Sequence, residues 1–243
     1  MTILPSKEQK EHYVREMFDS IAAKYDFVNS LMSLGMDHRW RRFAVHRAEI
    51  RPGGVALDIC CGTGKITLEL ARRVGLEGRV TGLDFSPRML EVARQAVAAS
   101  EFKEIINLIQ GNALCLPFED NSFDAVTVGW GLRNVPDIFT VVQEMMRVVR
   151  PGGMVVSLDM AKPELPVFKQ AYWLYFEKII PLLGKIGAHK ETAYQYLHQS
   201  ARVFPHQKEL ARLFHEAGLE AACYHNLCGG VVAVVEGRKT RIR

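Results

Sequence analysis

From residue 51 onward, short apolar runs alternate with segments of helical period, and this alternation constrains the fold more than any other feature of the sequence. The apolar runs predict seven strands, in the segments VALDIC, RVTGLD, IINLIQ, FDAVTVGW, MVVSLDM, LEAACYHNL and VVAVVEG. Between them, Ser86 and Pro87 are placed as the N-cap and first residue of a helix, and Gly75 ends another. Strands that alternate with helices form a parallel sheet covered on both faces. We therefore predict an α/β fold with a doubly wound, mostly parallel, seven-stranded sheet.

Two helical regions accompany this core. Residues 7–48 carry apolar side chains at helical spacing before the pattern changes at the first RPGG segment, and residues 162–204 interrupt the alternation with an aromatic-rich helical pattern. A second RPGG segment is expected to end a helix just before the fifth strand. We predict a single domain with an N-terminal helical extension, a ligand-binding core, a helical insertion over the substrate and a C-terminal completion of the sheet, at residues 1–50, 51–161, 162–205 and 206–243.

Composition and charge limit the kinds of binding partner and the cellular compartment that we expect. With 48% hydrophobic and 24% charged residues, the 243-residue chain has the profile of a soluble globular protein. Its net charge of +4 is too small to indicate nucleic-acid binding, although the basic segments DHRWRRFAVHR and GRKTRIR could face solvent or anionic lipid. The first residues are polar and charged, and no apolar run reaches transmembrane length. We therefore expect a cytoplasmic protein without a secretory signal.

The five cysteines predict neither a disulfide framework nor a metal site. Cys60 and Cys61 are adjacent, and neighbouring cysteines rarely form a disulfide. Cys223 and Cys228 lack the second pair of ligands that a zinc site needs. We expect buried free thiols in a reducing compartment, and no metal.

The glycine turn LDICCGTGK, residues 57–65, is the most informative short motif. It lacks the third glycine or alanine of a dinucleotide fingerprint and the serine or threonine that follows Gly-Lys in a P-loop. Instead, Asp58 is followed by small residues at every second position, namely Cys60, Gly62 and Gly64. Small residues let the backbone pass close beneath a ligand at the carboxyl edge of a sheet. Cys60 is therefore interpreted as a small residue, not as a reactive one.

This pattern resembles the first motif of class I S-adenosylmethionine-dependent methyltransferases. The resemblance implies that Asp84, at the end of the second strand, accepts both ribose hydroxyls and that GNALCLPF at residues 111–118 holds the adenine. The ordered set of DICCGTG, GLD, GNALCLPFEDNSFDAV and RVVRPGG is far more specific than any one of them. It implies S-adenosylmethionine as the cofactor, with these candidate binding residues: Asp58, Gly62, Thr63, Gly64, Asp84, Phe85, Asn112, Ala113 and Gly129.

Outside the core, the chain is similar to the ubiquinone/menaquinone biosynthesis C-methyltransferase family. The similarity extends over nearly the whole chain, in the segments YDFVNSLMSLGMDHRW, GLRNVPD, RVVRPGGMVVSLDMAKP and YQYLHQSARVFP. The chain departs from the family pattern at Lys65, where an acidic residue is usual, at Asp159-Met160-Ala161, which replaces Glu-x-Ser, and at Gly129, where some members carry serine. The resemblance implies methylation of a ring carbon of a polyprenylated quinol, and the Cys-Cys turn favours the menaquinone branch.

The implied reaction suggests roles for polar residues. A quinone ring is electron-poor and does not attack a sulfonium methyl group, so the acceptor must be the reduced quinol. Arg133, just after the fourth strand, could stabilise the quinol anion, or it could pin its loop by pairing with a carboxylate such as Asp137. Histidine titrates near neutral pH, so His38 is a candidate general base. The candidate catalytic residues are Arg133, Asn134, Tyr25 and His38, and the candidate substrate contacts are Asn29, Tyr196, Trp173 and Phe176.

The sequence leaves other functions open. The same core could methylate a ubiquinone-type benzoquinol or another lipophilic phenolic molecule, or the protein could be a non-catalytic scaffold that binds S-adenosylmethionine or quinol. The intact DICCGTG motif and Asp84 favour catalysis. An RNA methyltransferase would need a broad basic surface, which the near-even charge does not indicate. The insertion's aromatic residues could line a groove for the prenyl tail, contact a membrane or form the core of a helical cap. We expect a prenylated quinol as partner, no nucleic acid, transient contact with a membrane surface and a homodimer.

Overall fold

A computed structural model of the protein describes residues 5–164 and 191–241. Its centre is one seven-stranded sheet with the strand order β3-β2-β1-β4-β5-β7-β6. The strands are β1 (Val55–Ile59), β2 (Arg79–Asp84), β3 (Ile106–Gln110), β4 (Phe123–Gly129), β5 (Val149–Met160), β6 (Leu219–Leu227) and β7 (Val232–Lys239). Strands β1 to β5 pair in parallel, whereas β7 runs antiparallel to both β5 and β6. The predicted fold class is confirmed.

Local sequence explains where the helices begin and end. They are α1 (Lys7–Met32), α2 (Asp37–Arg47), α3 (Lys65–Val74), α4 (Pro87–Ala98), α5 (Ile138–Val148), α6 (Glu191–Val203) and α7 (Gln207–Glu216). The hydroxyl of Ser86 accepts a hydrogen bond from the backbone N–H of Met89 at 3.0 Å, so it caps α4. Gly75 ends α3 with a φ of +71°, a value that favours glycine. Both predicted helix boundaries are confirmed.

Helix α5 ends at Val148, just before the second RPGG segment, as expected, but the predicted start of the fifth strand is wrong. The second RPGG segment, residues 150–153, lies inside β5, which begins at Val149 directly after α5. Gly152 has a φ of +83°, and the pairing of β5 with β4 shifts register between Phe123 and Ala125. An irregularity within β5 therefore stands where the sequence pattern predicted a turn between the helix and the strand.

The sheet buries apolar side chains on both faces. On one face, Leu57 of β1 belongs to a cluster that includes Val141 of α5 and Phe214 of α7. On the other face, Ala56 belongs to a cluster with Leu70 of α3. Burial of large apolar side chains contributes about 1.5–3 kcal/mol each. This two-sided packing makes the sheet a rigid frame that fixes the positions of its strand ends.

Helix α1 packs against α4 and against a short 3-10 turn, Leu132–Asn134, that follows β4. Within the predicted insertion, residues 191–203 form helix α6. Residues 165–190, which include Trp173 and Phe176, lie outside the described residues. Within residues 5–164 and 191–241, no helix is long and apolar enough to cross a membrane.

Candidate active site

A crevice opens at the carboxyl edge of the sheet, where β1, β2 and β4 end. The chain runs from β1 to β2 on one side, and β4 lies on the other, and open α/β sheets bind ligands at such a switch point. The crevice encloses about 670 Å³, counting its open mouth. Six of the nine predicted cofactor residues line it: Gly62, Asp84, Phe85, Asn112, Ala113 and Gly129.

Asp84 ends β2 and places its carboxylate in the crevice. One oxygen accepts a hydrogen bond from the backbone N–H of Gly62 at 2.8 Å, and the other accepts one from Ser86 at 2.9 Å. Burial raises the pKa of Asp84 to about 6, although these hydrogen bonds favour its charged form. A carboxylate fixed in this way has lone pairs left to accept hydrogen bonds from adjacent hydroxyl groups.

Asp58 does not line the crevice but lies beneath the glycine turn. Its carboxylate accepts hydrogen bonds from the hydroxyls of Thr67 at 2.7 Å and Thr127 at 2.9 Å. Burial raises the pKa of Asp58 to about 7. The structure therefore gives Asp58 a role in holding the turn, whereas the sequence analysis predicted a contact with the cofactor.

Thr63 and Gly64 also stay outside the crevice wall. Gly64 has a φ of +79°, and a Cβ built there would lie 3.3 Å from the Cβ of Ala93 in α4. The hydroxyl of Thr63 donates to Asp26 of α1 at 2.7 Å, and the Nζ of Lys65 lies 3.4 Å from the same carboxylate. Lys65, one of the departures from the family pattern, thus helps to bind α1 to the glycine turn.

Two further residues shape the remaining walls. A Cβ built on Gly129 would lie 2.2 Å from the Cδ1 of Ile66, so this position takes no side chain unless Ile66 shifts. The side-chain amide of Asn112 donates to the carboxylate of Glu11 of α1 at 2.6 Å, and Glu11 itself lines the crevice. The sequence analysis missed Glu11 because its place depends on where α1 docks.

Helix α1 is tied over the crevice by polar contacts along its length. The Nζ of Lys10 donates to the carbonyl of Val135 at 2.7 Å and to that of Arg133 at 3.1 Å. The hydroxyl of Ser86 donates to Asp19 at 2.5 Å. Together with the contacts to the glycine turn and to Asn112, these bonds make α1 one wall of the site.

A second cavity, named here the acceptor cavity, adjoins the crevice between α1, α6 and the 3-10 turn. Apolar side chains of α1 form much of its wall: Met17, Phe18, Ile21, Val28 and Met32. Five of the predicted catalytic and substrate residues line it: Tyr25, Asn29, Arg133, Asn134 and Tyr196. Tyr25 and Asn134 also line the crevice, so the two spaces meet at these residues.

Arg133 is buried and paired with a carboxylate. Its Nη1 donates to Asp159 at 2.9 Å and to the carbonyl of Trp130 at 2.8 Å. Burial opposes the charge, but the Asp159 carboxylate holds the pKa of Arg133 above its ordinary value. The partner suggested from the sequence was wrong, because Asp137 caps α5 by accepting a hydrogen bond from Thr140. Asp159 is a site residue that the sequence analysis did not predict.

Several buried polar atoms around this ion pair have no hydrogen-bond partner in the part of the chain that the structure describes. They include Nε of Arg133, Oδ1 of Asn134, Oδ2 of Asp159 and the hydroxyl of Tyr196. Native proteins satisfy nearly all buried polar groups, so these atoms retain hydrogen-bonding capacity that the described residues do not use. Burial raises the pKa of Tyr25 and raises that of Tyr196 to about 12, so both phenols are neutral at pH 7.

His38 is not brought to the site. It is exposed on α2 and lines neither the crevice nor the acceptor cavity. The structure therefore gives no support to its predicted role as a general base. By contrast, Asn29 lines the acceptor cavity together with Tyr25.

The expectation of buried thiols is wrong for most of the cysteines. Cys61 is buried and Cys60 half-buried, whereas three are exposed: Cys115, Cys223 and Cys228. Cys223 also has possible metal-ligand neighbours that its sequence spacing did not reveal, His225 and Glu236, with ligand atoms within 4.8 Å of one another. The guanidinium of Arg47 donates to both oxygens of Glu236, and a cation there opposes a metal ion. The expectation of no metal stays a prediction.

A family model described as the ubiE/COQ5 methyltransferase family matches residues 6–239. The chain belongs to this family. It is 58% identical to the demethylmenaquinone methyltransferase of Desulfitobacterium hafniense, over 97% of this chain and 93% of that protein. It is 47% identical to the demethylmenaquinone methyltransferase of Bacillus subtilis, over 96% and 99%.

Solved structures of low identity share the fold of this ubiE/COQ5 family member. A SAM-dependent methyltransferase from Aquifex aeolicus has a TM-score of 0.59 at 15% identity, covering 81% of this chain and 88% of that one. A SAM-dependent methyltransferase from Thermotoga maritima, a possible histamine N-methyltransferase, has a TM-score of 0.61 at 20% identity, covering 93% and 100%. These likenesses support the fold and say nothing about the methyl acceptor.

The crevice fits the methyl donor that membership of the ubiE/COQ5 family implies, S-adenosylmethionine. Asp84 offers a fixed carboxylate to a ribose diol, and Asn112 offers an amide to a purine edge. Gly62 and Gly129 contribute backbone without side chains to the crevice wall. Leu83 and Met89 add apolar wall for the flat adenine ring.

Proposed function

We propose that this enzyme transfers a methyl group from S-adenosylmethionine to a ring carbon of demethylmenaquinol, in the biosynthesis of menaquinone. The observation that carries the proposal is the match of residues 6–239 to the ubiE/COQ5 methyltransferase family. Identities of 46–58% to proteins named demethylmenaquinone methyltransferase, over 96–97% of this chain, support the choice of acceptor.

The crevice would bind the cofactor. S-adenosylmethionine, when bound, supplies a methyl group on a sulfonium centre. Asp84 would accept hydrogen bonds from the ribose hydroxyls, while Asn112 and Ala113 would lie beside the adenine. Phe85 would add an apolar contact. Asp58 would act indirectly, because its carboxylate is already engaged in holding the turn.

The acceptor side belongs to the acceptor cavity. An electron-rich quinol ring is required, since the ring carbon must attack the electrophilic methyl group as its bond to sulfur breaks. The same ring carbon then releases its proton, which restores the aromatic ring. The apolar side chains of α1 offer a dry wall for the ring and the start of its tail. In such a wall, the interaction of a charged side chain with a developing ring-oxygen charge is stronger than in water.

Arg133 is the group we assign to the quinol anion. Asp159 and the Trp130 carbonyl fix its guanidinium through Nη1, while Nε has no partner among the described residues. The side-chain oxygen atoms of Asn134 and Tyr196 are available to a second hydroxyl of the quinol. Holding the ring carbon near the methyl group would supply up to about 7–11 kcal/mol in a well-oriented site.

A prenyl tail confines the quinol to a lipid phase, so a cytoplasmic enzyme would meet it at the membrane surface. We therefore include transient membrane contact and a cytoplasmic, peripheral location in the proposal. A homodimer is a separate part of it, which light scattering of the purified protein tests.

Incubation with methyl-labelled S-adenosylmethionine and a panel of prenylated quinols tests the reaction. The panel contains demethylmenaquinol, a ubiquinone-type benzoquinol and a simple prenylated phenol, and mass spectrometry locates the label. We expect label on the ring carbon of demethylmenaquinol at the highest rate. Preferred labelling of the benzoquinol or the phenol would contradict the menaquinone assignment, and cofactor binding without labelling of any acceptor would indicate a scaffold.

A further inference from the structure

The two RPGG segments, residues 51–54 and 150–153, take no part in the crevice or in the acceptor cavity. They meet at the opposite edge of the sheet, where β1, β4 and β5 begin, and line a cavity of about 1230 Å³, counting its open mouth. Strand β1 has five residues, so about 17 Å separates the two edges. This cavity, named here the amino-edge cavity, is therefore separate from the site of methyl transfer.

The amino-edge cavity carries an excess of positive charge. Four arginines line it: Arg51, Arg150, Arg238 and Arg241. The carboxylates in its wall are Glu49 and Asp124. Four guanidinium groups against two carboxylates leave an excess of two positive charges.

Two of the arginines are held in fixed positions. Arg150 donates to Asp124 at 2.6 Å and to the carbonyl of Asn121 at 3.2 Å. Arg238 donates to Glu49 at 2.5 Å and to the carbonyl of Gly152 at 2.9 Å. Guanidinium groups that are already ordered lose little conformational freedom when an anion binds.

The other two arginines supply the excess charge. The side chains of Arg51 and Arg241 are exposed, and neither has a hydrogen-bond or ion-pair partner within residues 5–164 and 191–241. A Cβ built on Gly152 would lie 2.8 Å from the Nε of Arg241, and its φ of +83° already favours glycine. Gly152 thus leaves room for the Arg241 guanidinium to lie against the cavity wall.

We propose that the amino-edge cavity binds the phosphate group of a small soluble molecule, as a phosphate monoester dianion or a diphosphate. Two unpaired positive charges match a dianion, and the guanidinium fork binds phosphate oxygens in pairs. A lipid headgroup fits less well, because a membrane docked at this edge would lie away from the acceptor cavity, which takes the lipophilic substrate. The choice of a soluble ligand over a lipid headgroup rests on the lipophilic acceptor of the proposed function, whereas the excess of positive charge does not.

Calorimetric titration of the full chain with inorganic phosphate and with pyrophosphate, at constant ionic strength, tests this site. We expect saturable binding of one anion per chain, and we expect the double variant Arg51→Gln/Arg241→Gln to weaken it at least tenfold with an unchanged melting temperature. The matched control, Arg88→Gln/Arg94→Gln, removes the same charge from the exposed face of α4 and should leave the affinity unchanged. Cofactor binding should be the same in all three proteins.

Absence of saturable binding to the unmodified chain would overturn the site. Equal weakening in both double variants would overturn it as well, because diffuse attraction to the basic surface would then explain the binding. Sedimentation with phosphatidylglycerol vesicles separates the two sources of phosphate. Vesicle binding that is lost in the Arg51→Gln/Arg241→Gln variant would contradict a soluble ligand. Equal vesicle binding by the wild type and this variant would support a soluble ligand.

Discussion

The cofactor crevice and the acceptor cavity meet at Tyr25 and Asn134, but the protein treats their polar groups differently. In the crevice, Asp84 and Asn112 are held by hydrogen bonds within the chain. In the acceptor cavity, polar atoms of Asn134 and Arg133 are buried without a partner in the described part of the chain. We therefore propose that the crevice is formed before its ligand binds, whereas the acceptor supplies the remaining polar contacts of the cavity. Changes in the crevice should alter cofactor affinity, and changes in the cavity should alter turnover.

The largest effect is expected for Arg133→Ala. We predict that kcat falls about 10²-fold or more, as when other charge-stabilising groups are removed, while the affinity for S-adenosylmethionine changes little. Arg133→Lys should restore only part of the rate, because a point charge cannot reproduce the guanidinium fork. Single-turnover kinetics together with calorimetric cofactor titration measure both quantities.

A control is needed because Arg133→Ala leaves the buried Asp159 unpaired, which destabilises a protein by about 3–5 kcal/mol. The double variant Arg133→Met/Asp159→Leu removes both charges and should recover the melting temperature without recovering the rate. Near-normal methyl transfer in that stable variant would show that Arg133 has only a structural role. The predicted difference between the crevice, where changes alter cofactor affinity, and the acceptor cavity, where changes alter turnover, would then not hold.

Asp84→Ala tests the predicted effect of the crevice on cofactor affinity. We predict a loss of about 1–3 kcal/mol in cofactor binding, the usual cost of removing one partner from buried polar groups. The chemical step measured at saturating cofactor should change much less. Asp84→Asn, which keeps the shape of the side chain, controls for disturbance of the glycine turn. Unchanged affinity in the folded Ala variant would remove Asp84 from the site.

Asp159→Asn tests whether Asp159 fixes the orientation of Arg133 in the acceptor cavity. We expect a fall of about tenfold in kcat, because Arg133 loses the partner that fixes its orientation. Without the neighbouring carboxylate, Arg133 also attracts the quinol anion more strongly, so the acidic limb of the rate–pH profile should move to lower pH. A profile that keeps its position while the melting temperature falls would indicate a merely structural pair.

The pH dependence of cofactor affinity gives the smallest effect. Burial raises the pKa of Asp84 to about 6, and only its ionised form accepts hydrogen bonds fully from the ribose hydroxyls. Affinity should therefore rise by at most about tenfold from pH 5 to pH 7, and Asp84→Asn should flatten this change. Isothermal titration across this range is the measurement, and a flat profile for the wild type would contradict the assignment.

The raised pKa values of Asp58 and Asp84 also determine whether the free energy of unfolding rises or falls with pH. The folded chain without cofactor binds protons at Asp58 and Asp84 more tightly than the unfolded chain does. Their contribution to the free energy of unfolding therefore decreases as the pH rises from about 4 toward 7.

Much of the fold and the crevice could be predicted because their signals are local. The apolar runs, the Ser86 cap and the Gly75 terminus each act within a few residues of their own position. The resemblance to class I methyltransferases implied Asp84 and Asn112 as crevice residues. Asp84 ends one strand and Asn112 follows its neighbour, and the carboxyl ends of such strands meet at one edge of a parallel sheet, so their places did not depend on long-range packing.

The remaining site residues depend on contacts between distant segments. Glu11 and Lys10 enter the site only because α1 docks across the crevice, more than 100 residues from its partners in sequence. The Arg133–Asp159 pair joins the ends of neighbouring strands, and nothing at Arg133 distinguished Asp159 from the nearer Asp137. His38 turns to solvent in the first turn of α2, which the helical pattern did not reveal.

We propose that the acceptor cavity activates a quinol ring, which attacks the methyl group held over the crevice. The most direct test is anaerobic methyl transfer by the wild-type enzyme, with demethylmenaquinone supplied either fully reduced or fully oxidised. We expect methylated product from the reduced form alone. Equal turnover of the oxidised quinone would contradict it, because an electron-poor ring cannot attack a sulfonium methyl group.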